Sequence, residues 1–368
     1  MPPLPESTPR TWRQRLRTPL RVLLGLLVLD VGVWAFADVW QRHSPDDYAM
    51  RVAGCNRHPQ DLVIVGGSPV SEGIVPDELR GGEFPRVYAL GLPGGTTTEF
   101  YHAILRSCPT PPRLLIYGIT ASDINDSRNE PHGPASLMTL GDVCEWATTR
   151  PESREWVVRQ YLLAKASRSW SLFRYRHGIR MWSALQADAL APGAAPEAVR
   201  EARELRHYAD AMQSGNGYAP AAGFVTRRHD VNKQTGAELP PFAFLNKYKT
   251  GSHLKYLHKL IEWSNANGTQ LILLDMPVTS DLEAQYPEAF AEYRQRLTEL
   301  EQQRGVTIIR AHRDIVGITD AGFADTIHLN GVGAKVLSQW LRHRLDELRQ
   351  PSEPNDDRVR AQAGGSRP

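Results

Sequence analysis

Five short apolar runs decide most of what this chain can fold into. They are Leu62-Val63-Ile64-Val65, Arg86-Val87-Tyr88-Ala89-Leu90, Arg113-Leu114-Leu115-Ile116-Tyr117-Gly118, Gln270-Leu271-Ile272-Leu273-Leu274 and Val306-Thr307-Ile308-Ile309. Each has the length of a strand rather than a helix, and the first carries three β-branched residues in four. Segments of helical spacing lie between them. Thr98 to Arg106 puts Phe100, Ala103 and Ile104 on one side, and Leu254 to Asn265 reads as another helix. Pro287 opens a third, with Phe290, Leu297 and Leu300 on one face and Gly305 past its end. A last helix, from about Gly333 to Leu348, is expected to bury Val336, Leu337, Trp340 and Leu341. Strand, loop, helix, strand is the rhythm of a parallel sheet. The expected fold is therefore an α/β three-layer sandwich, with helices on both faces of the sheet.

The rhythm breaks between about 127 and 250. Helical patterns rich in Arg and Trp run from Ser153 to Trp182 and from Glu197 to Met212, followed by a Gly- and Pro-bearing stretch, Ser214 to Pro241. This reads as a helical insertion in a domain covering 60–348. A lid, or a surface resting on a membrane or a partner, are its functional alternatives.

The N-terminus constrains location. Arg10, Arg13, Arg15, Arg17 and Arg21 precede an apolar run from Val22 to Val39, and Asp46 and Asp47 follow it. At about 1.5 Å per residue a helix over that run covers most of a ~30 Å hydrocarbon core. The expected organisation is a basic cytoplasmic arm (1–21), a single membrane anchor (22–39) and an exported periplasmic or extracellular domain, by the positive-inside rule. Membrane lipid is thus an expected partner. Asp30 in mid-run costs roughly 2.5–3.5 kcal/mol on insertion scales. Ala35-Phe36-Ala37 also resembles a signal-peptidase site, and cleavage there would give a soluble exported protein. Residues 350–368 lack any apolar period and read as disordered.

The chain is 41% hydrophobic and 23% charged with a net charge of +2. That balance is globular, and it argues against nucleic acid as the main partner. Cys55, Cys108 and Cys144 make neither a disulfide framework nor a zinc cluster; one disulfide is open, its pairing undetermined.

Ser68 stands on the turn Gly66-Gly67-Ser68-Pro69 directly after the first strand. The carboxyl end of a buried strand is where α/β folds place reactive groups, although an ordinary loop also carries serine there. The weight comes from the far end of the domain. Between the last strand and the last helix runs Ala324-Asp325-Thr326-Ile327-His328-Leu329. An aspartate there can hold a histidine in one tautomer and leave its other ring nitrogen to take a serine proton.

With those residues in view, the chain resembles the SGNH (GDSL-type) hydrolase superfamily. It resembles specifically the membrane-anchored exported branch found beside cell-surface polysaccharide modification systems. The resemblance covers roughly 60–126 and 270–345. Gly66-Gly67-Ser68 matches the first block, with Gly67 where the usual acid stands. Leu92-Pro93-Gly94-Gly95-Thr96 resembles the second, which implies that Gly94 gives an N–H to an oxyanion hole. Asp325 and His328 match the last block. The third departs. Where the superfamily has Gly-x-Asn-Asp, this chain has Gly118-Ile119-Thr120-Ala121, with Asn125 and Asp126 later, so Thr120, Ser122 or Asn125 would have to substitute as oxyanion donor. A lost donor costs about 10²–10³ in rate.

The resemblance implies a serine esterase or O-acyltransferase acting on acyl, in particular acetyl, esters of a glycan, with no cofactor. The competing expectation is an accessory protein that binds a polysaccharide or a membrane acyltransferase. Other constellations fail. No P-loop or Gly-x-Gly-x-x-Gly follows a strand, and His253 and His258 are five apart, off the metal-binding spacing. His312 and Asp314 read as a solvated loop, and Asp275 as a capping or loop residue.

Overall fold

The computed structural model describes residues 12–37, 39–40, 47–127, 138–151, 154–193 and 242–348, with shorter stretches between 196 and 239. The expectations for the start of the basic arm, for much of Glu197–Met212 and for the tail at 350–368 lie outside the described residues. The chain forms two compact units, one of residues 1–50 and 134–210, the other of 51–133 and 211–368.

The larger unit is an α/β fold on a five-stranded parallel sheet, with an added two-residue ladder of β4 (Asp230–Val231) and β5 (Glu238–Leu239). The sheet strands are β1 (Leu62–Gly66), β2 (Val87–Gly91), β3 (Leu114–Ile119), β6 (Gln270–Asp275) and β7 (Thr307–Arg310), in the order β2-β1-β3-β6-β7. The chain winds outward from β1 in one direction and then the other. Such reversals open a crevice at the carboxyl ends of the strands beside β1. β1, β2 and β3 are buried along their whole length, as their unalternating apolar sequences require.

Alternate residues face opposite layers. Leu62, Ile64, Leu114, Ile116, Ile272 and Leu274 share one core with α3 (Ser68–Gly73), α4 (Pro76–Leu79) and α14 (Gly331–Glu347). The other face takes α5 (Thr97–Ser107) and α10 (Ser252–Ala266), where Phe100 meets Tyr117 edge-on at 5.6 Å. A capping box starts α5, with Glu99 reaching back to Thr96. Pro287 opens α12 (Pro287–Arg304) and Gly305 ends it at φ 62°. α14 buries Leu337, Leu341 and Leu345, while Val336 and Trp340 pack only partly against the core. That corrects the expectation of full burial. Ser338 and Arg342, on the helix face that meets the core layer, instead bind the Val75 N–H and the Leu79 carbonyl at 2.8 Å each.

The smaller unit is helical: α1 (Trp12–Ala35), α6 (Leu140–Thr149), α7 (Arg154–Ser169), α8 (Ser171–Arg174) and α9 (Arg176–Leu190). The pattern expected from Ser153 to Trp182 is thus broken at Trp170 and Tyr175. Among the described residues, no helix is long and apolar enough to cross a membrane; α1 carries Pro19, Arg21 and Asp30 along its length. α1 is exposed over most of its length, Leu20, Leu23, Leu27 and Trp34 each at least 60%, whereas Val33 is buried. Asp30 has its carboxylate accepting the Leu172 N–H of α8 at 2.6 Å. The charge that was awkward in the sequence has a backbone partner. Beyond it, Trp40 donates to the Val33 carbonyl and stacks edge-on against Trp182 at 5.3 Å.

Candidate active site

The site begins with a row of glycines. Register pairs Gly66 with Gly91 on one side and with Gly118 on the other, so the last residues of β1 and β2 and the penultimate residue of β3 are glycines at one level. α3 lies directly on that row. A Cβ at Gly91 would fall 2.3 Å from the Ser71 Cβ, and one at Gly66 or Gly118 would fall 2.4 or 2.3 Å from Val70 Cγ2. The glycines let the helix come down onto the strand ends, and its first residue is Ser68. Pro69 behind it suits the first turn, where no N–H acceptor is lost. As the first residue of α3, Ser68 has an N–H with no intrahelical acceptor.

Ser68 Oγ lies 2.7 Å from His328 Nε2, and His328 Nδ1 lies 2.6 Å from Asp325 Oδ2. Asp325 is itself fixed: its Oδ1 accepts the N–H groups of Ile327 at 2.9 Å and His328 at 2.8 Å. The loop carrying both is closed by the Ala324 N–H on the His328 carbonyl, and tied to the β6 end by the Thr279 N–H on the Thr326 carbonyl. Asn330 finishes the construction. Its Oδ1 caps α14 through Val332 and Gly333, and its Nδ2 binds the Ala321 carbonyl at 2.6 Å. An Asn ahead of an apolar-periodic segment is an N-cap signal. Its second duty, holding the loop that carries His328, is invisible without the fold.

All three side chains are half-buried, and their electrostatics follow from that. Burial alone would push the Asp325 carboxyl up. The His328 hydrogen bond and charge, with the two backbone N–H groups, outweigh it and hold the group below its ordinary value. Burial opposes a charged imidazolium at His328, but the Asp325 hydrogen bond and the charges of Glu72 and Asp325 raise its pKa. Glu72 is the residue that sequence reasoning missed. It stands four positions after Ser68 on α3, on the same helix face. Burial raises its pKa and the Asp325 charge adds to that, against the pull of His328 and Arg51.

The other expected residues are placed as follows. Gly94 sits in the turn closed by the Gly95 N–H on the Leu92 carbonyl, at φ 74°, a conformation that glycine adopts without strain. Thr120 does not present a hydroxyl to an oxyanion. Its N–H and Oγ1 both bind Asp123 Oδ2, at 2.7 and 3.0 Å, and its Oγ1 also meets Ser122 Oγ at 2.7 Å. Asn125 is turned to another task. Its Oδ1 accepts the N–H groups of Ser127 and Lys249, and its Nδ2 faces the Phe244 carbonyl. The reason is local: the loop closes on Asp123, a short-range acceptor that satisfies Thr120, and Asn125 is consumed pinning the 244–249 segment. The third-block donors expected from the resemblance are thus engaged elsewhere.

Asp275, at the end of β6, is half-buried and accepts the Tyr293 hydroxyl at 2.8 Å. Burial pushes its carboxyl up to about 6, against the pull of Tyr293 and Arg294. His312 lies beside Glu283 and Asp314. Among the described residues, no cluster of His, Cys, Asp and Glu could hold a metal ion.

No model of a known protein family matches the chain, and no curated protein matches it in sequence. A solved structure of a candidate acylhydrolase from Bacteroides fragilis aligns over 83% of this chain and 97% of its own, at 11% identity and a TM-score of 0.36. Similarity at that level bears on neither fold nor chemistry.

Proposed function

We propose that this chain is a serine-dependent acyl-transfer enzyme whose nucleophile is Ser68. The observation that carries the reading is the unbroken hydrogen-bonded line from Ser68 Oγ through His328 to Asp325. Ser68 attacks an ester carbonyl while His328 Nε2 takes the hydroxyl proton, and Asp325 steadies the imidazolium that forms. The tetrahedral oxyanion is received by the N–H groups of Ser68 and Gly94. Collapse expels the alcohol, which leaves with the proton from His328. Water then yields an esterase, and a sugar hydroxyl yields an O-acyltransferase.

The substrate class in this reading is an acetylated cell-surface glycan, met by a domain exported and tethered by α1. The exposed leucines of α1 support the tether, since a cluster of large apolar side chains left in water gains by meeting an apolar surrounding. A second reading, an accessory protein binding a glycan or a membrane acyltransferase, draws on the engaged side chains of Thr120 and Asn125. A fluorophosphonate probe decides between them. Wild type should be labelled and Ser68→Ala should not; an unlabelled wild type, or equal labelling of both, ends the nucleophile proposal.

A further inference from the structure

Two of the three cysteines meet. Cys55 is the penultimate residue of α2 (Asp47–Asn56), and Cys108 closes α5. Both are buried, and both line one small crevice with His58, Gln60 and Val63. Both are free thiols, and Cys108 is near enough to push the Cys55 pKa up. The backbone on either side is pinned in place: Asn56 Nδ2 donates to the Arg106 carbonyl at 3.1 Å, and Gln60 Nε2 to the Cys55 carbonyl at 3.2 Å. Cys144 is exposed on α6, in the other unit.

We propose that Cys55 and Cys108 are joined as a disulfide in the mature protein. The inference rests on the proposed export of the domain, because disulfides persist in oxidising compartments and are rare elsewhere. One S–S bond forms as the two thiols lose two protons and two electrons. The acceptor is the disulfide of an oxidoreductase in that compartment, which leaves as a dithiol after a mixed-disulfide intermediate. Exchange needs a thiolate. In the folded chain Cys108 and burial keep the Cys55 proton on, so oxidation belongs to the stage before α2 and α5 close. The bond would staple the helix entering the sheet at β1, whose far end delivers Ser68, to the helix that follows the Gly94 turn.

The test uses the full chain, purified from the membrane fraction of an exporting host, denatured and alkylated with iodoacetamide before digestion. The expected result is a peptide pair joined through Cys55 and Cys108 that disappears on reduction, with Cys144 alkylated. Cys144→Ser should keep the pair, and wild type treated with reductant should melt at a lower temperature than the oxidised protein. Protease added to spheroplasts, whose outer envelope has been opened, reports export separately. If the domain is accessible while Cys55 and Cys108 are both alkylated, or are paired through Cys144, export stands and the disulfide is refuted. If the domain is inaccessible from outside, the export reading fails and the disulfide proposal falls with it.

Discussion

At the scale of single residues, Glu72 and Asp275 are the two carboxyls whose surroundings most change what they do. Glu72 adds a negative charge beside His328 and raises its pKa. A general base works only when neutral, so hydrolysis should rise with pH through a His328 midpoint above the ordinary 6.5. Glu72→Gln removes that charge. The acid limb of kcat/KM for p-nitrophenyl acetate should then move to lower pH, with labelling of Ser68 retained; an unmoved limb would show that Glu72 does not act on His328. Asp275 is different. Its native carboxyl titrates at about 6 against an unperturbed 3.8, so between those values the folded chain keeps a proton that the unfolded chain has released. Stability therefore falls as pH rises through that window and levels off above it. Asp275→Asn can still accept the Tyr293 hydroxyl. It should flatten the profile and be more stable at pH 7 by about 1–3 kcal/mol, measured by urea unfolding at both ends of the window.

At the scale of elements, the glycine row is what seats α3. Gly91→Ala would put a methyl group into the backbone of Ser71, and either α3 or β2 must yield. Overpacking of this kind costs about 1–3 kcal/mol. Because the displaced helix starts at Ser68, fluorophosphonate labelling should slow at temperatures where circular dichroism still reports a folded chain. The parallel sheet was legible in the sequence because its strands are buried on both faces and so read as unbroken apolar runs. The glycines at or beside the ends of three of them were visible too, but their common level depends on register, which no single run contains. Ser68 and the Asp325–His328 loop could be matched because each adjoins a strand end, and strand ends in a parallel sheet share one side. Asn125 could not be placed, since its partner Lys249 lies far along the chain across the insertion. Asp123 was overlooked for the opposite reason: its contacts with Thr120 are local loop geometry without periodicity.

At the scale of the whole molecule, the proposed tether predicts a separable behaviour. Replacing Leu23 and Leu27 together by Asp should abolish flotation of the full chain with phospholipid vesicles, while hydrolysis of a soluble ester stays unchanged. A mature chain that begins at Asp38 on N-terminal sequencing would refute the tether. One further consequence concerns the free border of the sheet. β2 is an edge strand, yet its Ala89 N–H is taken by the Asn216 carbonyl. The short segment around it lies so close that a Cβ at Gly217 would fall 2.0 Å from the Ala89 oxygen, and buried Arg51 holds the Gly217 carbonyl at 3.0 Å. A strand from another copy finds that border occupied. The opposite border is β7, four residues ending in the exposed Arg310, a short and charged template. The sheet is thereby guarded against growing from one molecule into the next.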